Sequence, residues 1–200
     1  TRGAILKAFS NWLKGFEANP DTEVFVFYSG HGLSKADGSD AYFLPVDGDP
    51  ALLNDTAISR QRILGDLKAI NAKSVTLFLD TCYSGVNRNG KSIIAAQKPI
   101  IIAASEWKGL SPGMSIFSAA SKNEISISLK EQKHGLFSYY LMRALNGEAD
   151  NPPYGNDDGQ LSLMEISNFV GPNVIRTASS RGQKQTPQLL GDPSKIVARW

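Results

Sequence analysis

The chain has one cysteine and two histidines among its 200 residues. A single Cys excludes an internal disulfide, and one Cys with two His falls short of a usual structural zinc site. Charge of one sign is also scarce. Lys and Arg number 21 against 19 Asp and Glu, a net +2, and no basic stripe is interleaved with aromatics, so nucleic acid is not an expected partner. No apolar run approaches the roughly 18 residues of a membrane span, and the N-terminus has no signal-peptide pattern. A membrane is therefore not an expected partner, and a reducing compartment, the cytoplasm, is the expected location. The chain opens at Thr1 rather than at an initiator Met, which fits a fragment whose targeting segment, if it had one, would not be seen.

What is present suits a packed domain: 42% hydrophobic and 20% charged residues, enough chain to bury a core without staples. Ile5, Phe9, Trp12, Leu13 and Phe16 recur at helical spacing, so 1–16 reads as an amphipathic helix, ended by Gly15 and Asn19-Pro20. VFVFYS at 24–29 and SVTLFLD at 74–80 are continuous apolar runs, the pattern of strands buried on both faces. AYFLPV is a candidate strand and MSIFSAA, 114–120, reads as a third buried strand. Helical spacing marks 58–70, 134–147 and 162–178, the last expected to break near Gly171-Pro172. QTPQLLG and IVARW close the chain. Alternating strands and helices predict an α/β fold with a mainly parallel sheet.

In such sheets ligands bind beyond the carboxyl ends of the strands. One apolar strand runs into Ser29-Gly30-His31-Gly32, the other into Asp80-Thr81-Cys82-Tyr83-Ser84-Gly85. If the strands are neighbours, a nucleophile and a base meet at one sheet edge, each fixed by a rigid strand. The thiolate is the reactive form, and an imidazole beside it takes or balances its proton. Taken singly, a lone Cys is usually a small buried hydrophobe; the pairing with His31 is what points to chemistry.

YSGHG (28–32) followed by DTCYSG (80–85) resembles the caspase and metacaspase superfamily of cysteine peptidases (peptidase family C14), most of all its bacterial, orthocaspase-type members. His31 lies about 50 residues upstream of Cys82, the caspase spacing. AYFLPVD, SAASKNEIS, HGLFSYYLMRALNGEAD, GNDDGQLSLMEI and QTPQ extend the likeness over most of 1–190. The resemblance implies a caspase-like fold: a mainly parallel β-sheet sandwiched between helices in three layers. It implies a single domain over 1–200, with 1–85 large-subunit-like, 86–113 a linker or processing loop, and 114–200 small-subunit-like. Such folds begin with a strand and helix before the helix read at 1–16, and nothing here matches that first strand, so either the chain is a fragment whose opening strand lies elsewhere or the sheet is incomplete.

The resemblance also assigns roles. Cys82 attacks the scissile carbonyl, His31 serves as general base and acid, and the backbone N–H groups of Gly32 and Cys82 stabilise the oxyanion. Asp80, two residues before Cys82, matches the metacaspase acid that receives a substrate Arg or Lys, so cleavage after a basic P1 residue is expected. The alternative for Asp80 is a cap on the following helix. A second pocket acid usual in metacaspases is missing: Lys122 stands near its place, and Glu124 is the candidate substitute. Ser118, Ala119 and Ala120 are expected to line the substrate cleft, where an extended peptide pairs along the backbone. Rival readings are the same peptidase with acidic or broad P1 preference, and a catalytically silent caspase-like domain that binds or scaffolds.

Weaker signals complete the reading. His134 follows Cys82 in papain-like order, without the papain signature around the Cys. Asn156, Asp158 and Glu165 fall at calcium-loop positions, but Tyr154 replaces the first ligand; a polar turn before a Ser162–Glu165 capping box is the favoured alternative. No cofactor is expected, with calcium activation open but not favoured. Gly30-His31-Gly32 lacks the third Gly of a dinucleotide loop, because residue 35 is Lys. Arg88, Lys91, Lys98 and Lys108 in the linker suit self-cleavage by an enzyme of basic P1 preference. The expected partners are a protein or peptide substrate and a sensor domain or activator outside this chain.

Overall fold

The computed structural model describes residues 1–16, 21–34, 40–82, 110–121 and 124–200, without the side chains of Phe16 and Cys82. Residues 86–109 of the proposed linker 86–113, with Arg88, Lys91, Lys98 and Lys108, lie outside the described residues, as does Lys122. The N-terminal segment is helical as its spacing predicts: α1 (Arg2–Lys7) continues as a π-helical turn, Ala8–Trp12, and a 3-10 turn, Leu13–Phe16. Thr1 caps it, accepting from the Ala4 N–H. Ile5, Phe9 and Leu13 reach the core, but Trp12, expected on the same face, is exposed.

Strand β1 (Glu23–Ser34) carries the chain past the predicted end and through the Gly-His-Gly segment. β2 (Ala41–Leu44) returns antiparallel to it, followed by α2 (Leu53–Thr56), β3 (Ile58–Ser59) and α3 (Arg60–Ala69). β4 (Ser74–Cys82) and β5 (Met114–Ser118) follow. A small ladder, β6 (Ser128–Leu129) with β7 (His134–Gly135), leads into α4 (Leu136–Arg143). β8 (Gln160–Ser162) enters α5 (Leu163–Ser180), and β9 (Gln188–Leu190) and β10 (Ile196–Arg199) finish the chain.

The main sheet runs β3-β2-β1-β4-β5-β9. Its centre, β1-β4-β5, is parallel and its flanks are antiparallel. One face (Val24, Val75, Leu77, Leu79, Ile116) packs on α3 and the N-terminal helix. The other (Phe78, Phe117, Ala119) packs on α4 and α5, with Phe117 edge-on to Phe137 at 5.0 Å. The result is the three-layer α/β arrangement predicted.

Two expectations are corrected. β1 is not buried on both faces: Phe25 and Phe27 are 47% and 56% exposed, because α4 and α5 cover β4 and β5 and stop short of β1. Among the described residues, β1 has ladder partners in β4 along 23–31 and in β2 along 31–34. Secondly, α5 does not break at Pro172. Its buried face, Leu163, Ile166, Phe169, Val170, Val174 and Ala178, runs across the proline. Burial of that whole face outweighs the one helical hydrogen bond a proline removes.

Candidate active site

β1 and β4 run parallel and in register from Glu23↔Ser74 to His31↔Cys82. His31 and Cys82 are therefore opposed positions on neighbouring strands, which lie about 4.8 Å apart. Among the described residues β1 pairs with β2 from His31 onward, so His31 has ladder partners on both sides, Cys82 and Leu44. In α/β sheets ligands bind beyond the carboxyl ends of the strands, which is where this pair lies. His31 is exposed there; Gly32 is buried, opposite Phe43.

A tyrosine holds the His31 backbone from beneath. The Tyr28 hydroxyl donates to the His31 carbonyl at 2.9 Å and to that of Leu44 at 3.3 Å. Burial pushes the Tyr28 hydroxyl up to about 12, against the opposing pull of the Leu44 hydrogen bond. Residue 30 must be small for this: a Cβ there would sit 2.9 Å from the Tyr28 oxygen.

Asp80 is fully buried. Its Oδ1 accepts from Ser126 Oγ at 2.5 Å, and its Oδ2 from Ser138 Oγ and, at 3.3 Å, from Ser138 N. Ser138 lies in the first turn of α4, whose N-cap, Gly135, offers no side-chain acceptor. Asp80 thus supplies from another strand the carboxylate that a helix start favours. The helix it caps is α4; the segment directly after β4 lies outside the described residues. Gly135 is pressed against it, and a Cβ there would collide with the carboxylate.

The expected cleft residues are placed unevenly. Ser118 is buried, paired with Leu79 on one side and Gln188 on the other. Ala119 N donates to the Leu79 carbonyl at 2.8 Å, and its own carbonyl accepts from Gln185 Nε2 at 3.0 Å. An added peptide strand therefore has no backbone to pair with at 118–119; Ala120, half-buried, is the first position left to it. Glu124 turns to the chain itself, accepting from Thr186 N, Thr186 Oγ1 and Ser121 N. His134 is exposed in the β6–β7 ladder, outside the main sheet.

The acidic loop is a polar turn. Asp150 accepts from Asp158 N and Gly159 N, Asp158 from Gln160 N, and Ser162 and Glu165 form the capping box. Among the described residues, no three His, Cys, Asp or Glu side chains lie together as metal ligands. Sequence reasoning missed Ser126, Ser138, Gln185 and Thr186. One signal was available: a helix opening KHGLFS has no N-cap acceptor of its own, so an acceptor had to come from elsewhere.

A family model described as the caspase domain matches residues 1–196. Among solved structures, the chain is similar to caspase-1 from Spodoptera frugiperda, at TM-score 0.53 and 12% identity, covering 98% of this chain and 69% of that one. At that identity the likeness shows the fold. No curated protein matches.

Proposed function

The chain belongs to the caspase-domain family of peptidases, and from that premise we propose that it hydrolyses peptide bonds with Cys82 as nucleophile and His31 as base, after Arg or Lys. The observation that carries this is the register of β1 on β4, which opposes His31 to Cys82 where β1 begins to pair with β2. Cys82 attacks the scissile carbonyl carbon while His31 takes the thiol proton. The proton then passes to the leaving amine, and water releases the acyl group from sulfur. The N–H groups of Gly32 and Cys82 face the developing oxyanion. The Tyr28 hydrogen bond fixes the backbone from which His31 projects.

Asp80 supports the basic preference. Two of its donors are serine hydroxyls, which can swing away and surrender the carboxylate to an incoming guanidinium or ammonium. Metacaspases use the matching acid in this way. The reading invokes no metal: the dyad step needs only the thiol, the imidazole and water. It places the enzyme in a reducing compartment, where Cys82 stays a thiol. Among the described residues, no helix is long and apolar enough to cross a membrane.

The test is hydrolysis of matched fluorogenic peptides bearing Arg, Lys, Asp or Ala at P1, with calcium and with chelator. Cleavage after Arg or Lys is expected, equal in both media, and reduced at least about a thousandfold in Cys82→Ala or His31→Ala. Cleavage after Asp or Ala would keep the dyad and remove Asp80 from the pocket. No cleavage of any peptide would favour a silent binding domain.

A further inference from the structure

The loop that follows β5 is gripped by two adjacent residues from far along the chain. Gln185 is 1% exposed. Its Nε2 donates to the Ala119 carbonyl at 3.0 Å and its Oε1 accepts from Ile127 N at 2.8 Å. One side chain thus spans the loop's two ends as a strand rung would, and its amide can face only one way, since exchanging O and N would oppose donor to donor. Next to it, Thr186 reaches the middle of the loop. Glu124 accepts from Thr186 N at 2.6 Å and Thr186 Oγ1 at 2.9 Å, and closes the turn by accepting from Ser121 N at 3.2 Å.

We propose that Glu124, Gln185 and Thr186 are positioning residues that hold the two described segments after β5, 119–121 and 124–127, for substrate binding and, through Ser126, set the aim of the Asp80 carboxylate. Glu124 is then a clamp and not an acid that meets substrate. Two of its three donors are backbone amides, which cannot rotate away as the hydroxyls on Asp80 can, so a substrate cation would have to break the loop to reach it. The clamp ends at the right places to matter. Ala119 adjoins Ser118, the last residue of β5, and Ile127 adjoins Ser126, which donates to Asp80. The catalytic consequence rests on the peptidase reading above; the clamp itself does not.

The test compares the intact chain with Glu124→Gln, Thr186→Val and Thr186→Ser. Two readouts are needed: amide hydrogen exchange over 119–121 and 124–127, and peptide kinetics with Arg, Lys and Asp at P1. Glu124→Gln and Thr186→Val are expected to speed exchange roughly tenfold and to raise KM roughly tenfold, with kcat changed less than about twofold and the Arg:Lys ratio unchanged. Thr186→Ser, which keeps both donors, is expected to match the parent. If Glu124→Gln does not fold, Thr186→Val gives the same reading with one bond removed. Unchanged exchange in both loss variants would overturn the clamp. So would a Glu124→Gln enzyme that shifts from Arg towards Asp peptides, since that marks an acid in contact with substrate. If the parent cleaves nothing, the peptidase reading fails, and the exchange data still decide the clamp.

Discussion

Asp80 and Asp150 are both buried aspartates, and the chain satisfies them with different donors. Asp150 accepts from two backbone amides of the loop it organises, at 3.2 and 3.1 Å. Among the described residues, Asp80 accepts from the hydroxyls of Ser126 and Ser138 and, at 3.3 Å, from the Ser138 amide. Amides are fixed by the fold, whereas hydroxyls turn about a single bond. A carboxylate held by amides is a structural post; one held by hydroxyls is stable when closed and can exchange partners. The difference bears on two acidic segments: Asp150 ties down the turn at 158–159 through its amides, and the proposed pocket acid Asp80 is held in part by rotatable hydroxyls.

That contrast is sharpest in paired truncations. Asp80→Ala removes the carboxylate that accepts from the Ser126 and Ser138 hydroxyls and uncaps α4. Thermal unfolding is expected to show a loss of about 3 kcal/mol, and cleavage after Arg is expected to vanish. Asp150→Ala is expected to cost about 2 kcal/mol, with kcat/KM per folded molecule unchanged within about twofold. Equal loss of Arg cleavage in both variants would break the distinction. Next in size is Gly135→Ala, which drives a methyl group into the Asp80 carboxylate. It is expected to lower stability by about 2 kcal/mol in a denaturant titration, and a neutral result would mean that α4 does not press on Asp80.

The smallest effect concerns a neutral group on β1. Tyr28→Phe removes the hydroxyl that holds the His31 carbonyl and is expected to cost about 1 kcal/mol at neutral pH. Burial raises the Tyr28 hydroxyl from 10.0 to about 12. A raised value means the folded protein favours the protonated phenol. That contribution is complete below pH 10 and is lost as pH rises through about 12. Stability of the parent should therefore fall more steeply than that of Tyr28→Phe between pH 10 and 12, as read by denaturation at each pH.

That β1 and β4 lead directly into His31 and Cys82 was legible in the sequence, because the apolar runs 24–29 and 74–80 stop just before them, a local signal; that β1 continues to Ser34 was not. The Ser162–Glu165 box, three residues apart, was legible too. The partners of Asp80 were not, because Ser126 and Ser138 lie 46 and 58 residues away. Nor were those of Glu124 and Ala119, at separations of 62 and 66. Periodicity reports which face of an element is apolar; it carries no record of which distant hydroxyl or amide will meet a buried carboxylate. The exposure of Phe25 and Phe27 was missed for a related reason. An apolar strand signals capacity for burial, but the reach of α4 and α5 decides whether that capacity is used.

The central claim, that His31 activates Cys82, can be tested on the protein's only thiol. Cys82 alkylation by iodoacetamide, followed by mass spectrometry from pH 5 to 9, compares the parent with His31→Ala. The account predicts rapid alkylation of the parent at neutral pH, well below the ordinary thiol range, and a shift of the variant's profile toward that of a free cysteine near 8.5. Superimposable profiles would show that His31 does not act on Cys82, and would contradict the dyad.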